Sequence, residues 1–265
     1  RAWGSPEELC TLDNPAVNES SGISASGLTA GVFFTHNDSG DEPRFFRFQR
    51  NGKVDGTYSL KGAQATDWED MARATVDGKS YLYFGDVGDN AEHRKSVTIY
   101  RVDEPTVGGE QTIDKFETYN ATYPDGAHNC EALFVTSRGD IWVVTKDPGG
   151  NSTAFVIATP GGNGNYVFKR VASLAIDTGG SGGKYVTGAD VSPEQKHVVL
   201  RTYTAALEFD VPQAFAEWTK ATPRPVRTAL ELQGEAIAYS KDGLALVTTS
   251  EFAPCTVSLI PLKAK

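Results

Sequence analysis

The sequence predicts an all-β protein, a five-bladed β-propeller that spans residues 1–265 as a single domain and is closed by its N-terminal strand. Three observations support this prediction. The 265 residues include 27 glycines and 13 prolines, which indicates many turns. Short segments that alternate apolar and polar residues follow one another, with turn residues between them. Sets of four such segments recur along the chain, as in repeat architectures.

The predicted strands fall into five sets, taken here in chain order. The first set covers 21–26, 31–37, 44–48 and 57–60, with an Asn51-Gly52 hairpin signal. The second covers 69–74, 81–86, 97–102 and 115–119, and the third covers 131–136, 141–145, 154–158 and 166–173. The fourth covers 189–192, 197–202, 206–210 and 226–232, and a short helical turn is predicted within 212–219, before its last strand. The fifth has three strands, 235–239, 244–249 and 256–260, and 9–12 is predicted to complete it. A β-sandwich with irregular loops is the alternative.

Equivalent apolar positions mark the first strand of each set, and they recur at intervals of 48, 62, 58 and 46 residues. These intervals are near the roughly 40–50 residues of a propeller blade plus its loops. The positions are Ile23, Met71, Leu133, Val191 and Ile237. Two residues earlier stand Ser21, Glu69, Glu131, Ala189 and Glu235, and Asp70 and Asp190 come one residue before their markers. Because innermost strands line the channel of a propeller, these acids are expected to form a negative ring.

A ring of carboxylates favours a bound cation. Oxygen ligands without a histidine cluster favour Ca²⁺ over zinc. The predicted calcium ligands are Glu69, Glu131, Asp190 and Glu235. The alternative is that these acids cap turns or pair with lysine and arginine.

The ends of the second strands are also polar and are expected to converge at the channel mouth. The candidate catalytic residues there are His36, Asp38, Asp86, Asp89, Lys146, Arg201 and Tyr203. An aspartate of this set would orient an attacking water. His36, Lys146 and Arg201 would bind an anion such as a phosphate or carboxylate and stabilise developing charge.

Composition limits the partners and the compartment. The formal net charge is −9 and there is no basic run, which argues against nucleic acid and against an anionic membrane surface. No segment approaches the roughly 18 apolar residues of a membrane span. The chain starts at Arg1 without a signal peptide, as expected of a mature or trimmed product. A disulfide between Cys10 and Cys255 is predicted, and we expect a secreted monomer.

Several motifs resemble a known family. They include His36-Asn-Asp-Ser-Gly40, Asp67-Trp-Glu-Asp-Met-Ala72, Gly85-Asp-Val-Gly-Asp-Asn90, Asn129-Cys-Glu-Ala-Leu133 and Gly234-Glu-Ala-Ile-Ala238. The chain resembles secreted propeller-like proteins that are frequent in actinobacteria and usually lack an assigned function. In architecture and in the inner-strand acids Glu69, Glu131 and Glu235, it is more distantly similar to the calcium-activated apyrases. That similarity implies a channel calcium with a phosphate site above it.

Taken together, these features predict a secreted, calcium-binding propeller that acts as a metal-assisted hydrolase on a small anionic substrate such as a phosphate ester. One alternative is a non-catalytic propeller that binds glycans or another protein and keeps calcium for structure. The other is a lactonase or carbohydrate-active enzyme.

Overall fold

The computed structural model describes residues 1–231 and 233–264. This part of the chain forms twenty-two β-strands and one short 3-10 helix, which confirms the all-β class. The strands make five sheets, and these are the blades of a β-propeller. Within the described part, no helix is both long and apolar enough to cross a membrane.

Four antiparallel strands form the body of each blade. The strands are numbered along the chain, and β1 (Glu7–Thr11) precedes the first blade. That blade contains β2 (Ser20–Ala25), β3 (Val32–Asn37), β4 (Arg44–Gln49) and β5 (Val54–Leu60). The second contains β6 (Trp68–Val76), β7 (Lys79–Asp86), β8 (Val97–Asp103) and β10 (Glu117–Thr122). The third contains β11 (Cys130–Val135), β12 (Ile141–Thr145), β13 (Asn151–Ile157) and β15 (Lys169–Ala175). The fourth contains β16 (Val186–Val191), β17 (His197–Thr202), β18 (Ala206–Asp210) and β19 (Arg224–Val226).

The fifth blade joins the two ends of the chain. It contains β20 (Gly234–Tyr239), β21 (Ala245–Ser250) and β22 (Thr256–Pro261), and β1 pairs antiparallel with β22. The predicted closure by the N-terminal strand is therefore confirmed. Because strands from both ends share one sheet, the ring closes by main-chain hydrogen bonds.

Two blades carry an additional strand that the sequence did not predict. β9 (Gly109–Ile113) pairs in parallel with β5 of the first blade, and β14 (Gly164–Val167) pairs in parallel with β10 of the second. The predicted strand 166–173 is therefore two strands in different blades, separated at the buried Phe168. β9 is almost entirely exposed, so it lacks the apolar alternation by which strands are recognised.

Boundaries of the outermost strands also differ from the prediction. The strand predicted at 115–119 is observed as β10, which begins two residues later. The strand predicted at 226–232 is observed as β19, which ends at Val226; Leu232 lies outside the described residues. The predicted helical turn is a 3-10 helix over Phe215–Lys220, anchored by the buried Trp218.

Five clusters of buried apolar side chains form the core, one at each interface between neighbouring blades. At the interface of the first and second blades, Trp68 stacks on Phe84 with ring centroids 5.1 Å apart. Fully burying one such side chain contributes roughly 1.5–3 kcal/mol. The core is thus a closed ring that holds the inner strands around the channel.

The predicted disulfide is absent, because Cys10, Cys130 and Cys255 are all free thiols in the interior. Cys10 on β1 lies opposite Val257, so Cys255 is its diagonal neighbour rather than its direct partner. Diagonal pairs across antiparallel strands are about 7–8 Å apart, farther than a disulfide spans. The prediction was correct that Cys10 and Cys255 lie on neighbouring strands and wrong that they form a disulfide.

Candidate functional site

All five innermost strands carry a β-bulge at the same level. In each blade, the pairing between the first and second strands skips one residue of the first strand. The skipped residues are Ser21, Glu69, Glu131, Thr187 and Glu235. A bulge leaves its extra residue unpaired and re-aims its side chain. Three of the five bulges therefore present a glutamate at one end of the channel.

The alignment predicted for the fourth blade was off by two residues. Thr187, not Ala189, occupies the level of the glutamates. Asp190 lies three residues further along the strand, where its carboxylate accepts the N–H groups of Val191 and Tyr239, each at 2.8 Å. The structure therefore separates Asp190 from the other three predicted ligands. The similarity of Thr187-Gly188 to Ser21-Gly22 was the signal in the sequence for the correct alignment.

A cavity of about 250 Å³ lies over the three glutamates. It is lined by Asp38, Ser39, Asp67, Glu69, Asn90, Glu131, Lys146, Tyr203, Glu235 and Glu251. Six of these ten side chains are carboxylic acids, and one of the ten, Lys146, is basic. Of the eleven predicted site residues, the structure brings together Asp38, Glu69, Glu131, Lys146, Tyr203 and Glu235.

Two of the glutamates face the cavity without a hydrogen-bond donor. Glu69 is 5% exposed and Glu235 is 4% exposed. Among the described residues, neither carboxyl group has a hydrogen-bond or ion-pair partner. Burial and the nearby Glu131 raise the pKa of Glu69 well above its ordinary value, and the same two causes raise the pKa of Glu235 to about 8. Such groups must hold a proton or meet a cation.

The third glutamate is paired. The Lys146 ammonium donates to Glu131 and to the Tyr203 hydroxyl, each at 2.6 Å. Burial raises the pKa of Glu131 to about 7, although Lys146 acts in the opposite direction. Lys146 is thus already engaged by a carboxylate and a phenol.

On the side of the second blade, Asp38, Asp67 and Glu69 offer carboxylate oxygens that all lie within 4.8 Å of one another. Calcium binds oxygens at 2.3–2.6 Å, so ligands on opposite sides of one ion are up to about 5 Å apart. Gly88 packs against this group: a Cβ there would lie 2.2 Å from Glu69 Oε1 and 2.4 Å from Asp67 Oδ2. Only glycine allows these two carboxylates so close to the main chain.

A second pair of acids meets at the rim. Burial, followed by the adjacent Asp38, raises the pKa of Glu251 to about 7. Glu251 also accepts a hydrogen bond from the Gln233 side chain. Glu251 and Asp38 thus add two carboxyl groups at the rim to the three glutamates of the inner ring.

Two residues predicted to bind an anion lie elsewhere. His36 is fully buried against Trp68, and burial lowers its pKa, so the imidazole is neutral. The Arg201 guanidinium is also fully buried and pairs with Glu231. Neither side chain lines the cavity, so Lys146 is the only cationic group that the described residues place there.

Asp86 and Asp89 shape the loop beside the cavity without lining it. Asp86 accepts the N–H groups of Thr66 and Asp67 at 3.2 and 3.0 Å and pairs with Arg94 at 2.8 Å. Asp89 accepts the N–H of Arg94 at 2.7 Å. These buried aspartates fix the segments that carry Asp67 and Gly88, and the structure gives them no access to a water in the cavity.

Four lining residues were not among the candidates from sequence: Ser39, Asp67, Asn90 and Glu251. Asp67 begins the most acidic motif of the chain and Asn90 ends the next motif, so their motifs were recognised but their roles were not. Asn129 of the third blade donates to Asn90 at 3.1 Å, a contact between blades that spacing does not reveal.

Comparison with solved structures finds similar chains, and the match with a TM-score above 0.5 supports the architecture. The PQQ-bound aldose sugar dehydrogenase from Streptomyces coelicolor matches with a TM-score of 0.55 and 12% identity, over 98% of this chain and 99% of that chain. The WD40 repeats of RRP9 match with a TM-score of 0.49 and 8% identity, over 99% of this chain and 100% of that chain. A gluconolactonase from Xanthomonas campestris matches with a TM-score of 0.48 and 13% identity, over 88% of this chain and 69% of that chain.

No family model matches the sequence, and no curated protein is found as a relative. At identities this low, structural likeness shows the propeller fold alone, and one fold supports many functions. The resemblance of the motifs to a secreted actinobacterial family therefore stays a prediction.

Proposed function

We propose that the cavity binds Ca²⁺ and that the protein is a calcium-dependent hydrolase with its site at the channel mouth. The observation that carries this proposal is the pair of buried carboxyl groups, Glu69 and Glu235, that face the cavity without a donor. A buried carboxylate is costly unless a positive charge or a set of donors compensates it. A divalent cation bound in the cavity would compensate both.

The lining suits a hard cation. Asp38, Asp67 and Glu69 would hold the ion, with Glu131 and Glu235 of the same cavity as further ligands. The lining contains oxygen donors but neither imidazole nor thiol, which favours calcium over zinc or copper. In the secreted location we propose, we expect a dissociation constant for calcium of about 10⁻⁴–10⁻³ M, the range of extracellular calcium modules.

Bound calcium would supply Lewis-acid polarisation of a substrate oxygen and of a water. The side chains would supply proton transfer. Burial raises the pKa of Glu251 to about 7 in the metal-free protein, and its carboxylate can accept a proton from water. The Tyr203 hydroxyl and Lys146 ammonium are the donors placed to stabilise developing negative charge.

The charge of the cavity also bears on the substrate. Six carboxyl groups face one lysine that is already paired with Glu131, so the protein side chains repel an anion. An excess of acceptors instead favours a ligand rich in hydroxyl groups. We therefore propose a neutral lactone or sugar as the substrate class, in preference to the phosphate ester suggested by the sequence.

A second candidate is a non-catalytic propeller with structural calcium. The cavity, at about 250 Å³, is smaller than the roughly 300–1,000 Å³ of common ligand pockets. That size suits an ion with a few waters better than an ion with a substrate.

Calorimetric titration of chelator-treated protein with Ca²⁺ tests the metal site. We expect one ion per chain and a melting temperature that rises by several degrees. Glu69→Gln should weaken binding at least tenfold, whereas Glu110→Gln on the exposed β9 should bind like wild type. Wild-type protein that takes up no calcium would remove the proposal.

A hydrolysis screen then separates the two candidates. Aryl phosphate esters, lactones and aryl glycosides are compared in calcium and in EDTA. Calcium-dependent turnover of a lactone or glycoside supports the hydrolase, and turnover of the phosphate ester alone contradicts the charge argument. Calcium binding without any turnover supports the structural role.

A further inference from the structure

The glutamates of the cavity are fixed at their main chains by side chains of other blades. The Ser21 hydroxyl of the first blade donates to the carbonyl oxygen of Glu69 at 2.5 Å. The Thr187 hydroxyl of the fourth blade donates to the carbonyl oxygens of Glu235 and Gly234, at 3.0 and 2.8 Å. Ser21 and Thr187 are each 1% exposed, so water does not compete for these bonds.

Asp70 makes the corresponding contact for the third blade. Its carboxylate is fully buried and accepts the N–H groups of Leu133 at 2.8 Å and Ala189 at 3.0 Å. Leu133 follows Glu131 by two residues. One side chain of the second blade therefore ties the inner strands of the third and fourth blades together.

The need for these contacts follows from the position of the strands. The innermost strand of a blade is an edge strand, so its channel side carries unpaired N–H and C=O groups. A bulge frees further groups and lets the local backbone turn. A partner side chain at that point fixes the bulge and, with it, the direction of the glutamate that the bulge presents.

We propose that Ser21, Asp70 and Thr187 are positioning residues that orient Glu69, Glu131 and Glu235 for a bound cation. Ser21 and Thr187 occupy the bulges of the two blades that lack a glutamate. The same structural position thus supplies a ligand in three blades and a hydrogen bond that aims a ligand in the other two. This inference rests on the calcium site proposed above.

Four variants test the proposal by calcium titration: Ser21→Ala, Asp70→Asn, Thr187→Val and the control Ser192→Ala. Ser192 is also fully buried, and its hydroxyl accepts the N–H groups of Lys196 and His197 at a turn of the fourth blade, away from the cavity. Removal of a residue that orients a metal ligand weakens metal binding about 10–100-fold. We expect such losses for the three positioning variants and less than a twofold change for Ser192→Ala.

A further comparison tests whether weaker calcium binding in these variants comes only from lower stability of the fold. We expect Thr187→Val and Ser192→Ala to lose similar melting temperature in EDTA, and Thr187→Ser, which keeps the hydroxyl, to bind calcium like wild type. Positioning variants that bind like wild type overturn the proposal, as does a Ser192→Ala variant that weakens binding equally.

If wild-type protein binds no calcium, the proposed function is refuted. The positioning of the glutamates is then tested by a second measurement. Crystal structures of metal-free wild type and Thr187→Val then decide it. We expect the Glu235 carboxyl group to turn away in the variant while Glu69 stays in place. An unmoved Glu235 overturns the proposal.

Discussion

Replacing Glu235 by glutamine should stabilise the protein in the absence of metal and destabilise it in the presence of calcium. The carboxyl group is 4% exposed, faces other acids and has no donor among the described residues. Glutamine keeps its size and removes its charge. In calcium, the same change removes a proposed ligand, so the two conditions give opposite signs.

The size of the effect follows from the pKa of Glu235, which is raised from 4.5 to about 8. Between these values the folded state holds more protons than the unfolded state, so the stability of the metal-free wild type falls as pH rises. Each pKa unit corresponds to about 1.4 kcal/mol, which gives a cost of about 3 kcal/mol at pH 7, about 5 kcal/mol above pH 8 and near zero at pH 4. At about 2 °C per kcal/mol for a chain of this size, Glu235→Gln should melt about 6 °C above wild type at pH 7.

Thermal unfolding in EDTA at pH 4, 7 and 9, followed by circular dichroism, measures this difference. Glu110→Gln, on the exposed β9, is the matched control and should show no pH-dependent gain. A difference between Glu235→Gln and wild type that stays constant from pH 4 to pH 9 would refute the reasoning, because it would show that Glu235 titrates normally in the folded state.

Three further predictions concern the cavity and the ring. Gly88→Ala should weaken calcium binding at least tenfold in a titration because its Cβ would overlap two carboxylates, whereas Gly161→Ala, with open space around it, should have no effect. Lys146→Met should lower the free energy of unfolding by about 3 kcal/mol at pH 9 in EDTA, because it leaves the Glu131 carboxylate buried and unpaired. In unfolding experiments this loss should shrink at pH 5, where Glu131 is protonated. An equal loss at both pH values would contradict this account. Deletion of residues 1–11 should abolish cooperative unfolding because it removes β1 from the fifth blade, and a sharp, near-wild-type melting transition would show that ring closure does not depend on that strand.

The strands that form short apolar segments between turn residues were predictable from sequence. These segments gave the first three strands of every blade and the closing role of β1, and the inner strands among them are buried on both faces. The outermost strands were less predictable. β9 and β14 are exposed edge strands whose partners lie in a preceding blade, and their residues carry no pattern that identifies such a partner.

Part of the candidate site was predictable because equivalent residues recur in each blade. Glu69, Glu131 and Glu235 precede equivalent apolar residues, so their shared level in the ring follows from the repeat. His36 and Arg201 are polar residues near strand ends, but a polar side chain there can turn into the core or towards the mouth. In both cases the side chain is buried, and Arg201 pairs with Glu231, which sequence spacing does not indicate.

The sequence by itself determined the five-fold repeat, the closure of the ring and the three inner glutamates, because these depend on local periodicity that each blade repeats. Only the tertiary structure decided which side chains meet. The contacts of Asp70 with Leu133, of Ser21 with Glu69 and of Thr187 with Glu235 depend on how the blades are placed relative to one another. Contacts between blades are set by the closed ring as a whole, and the residues that make them are far apart in the chain.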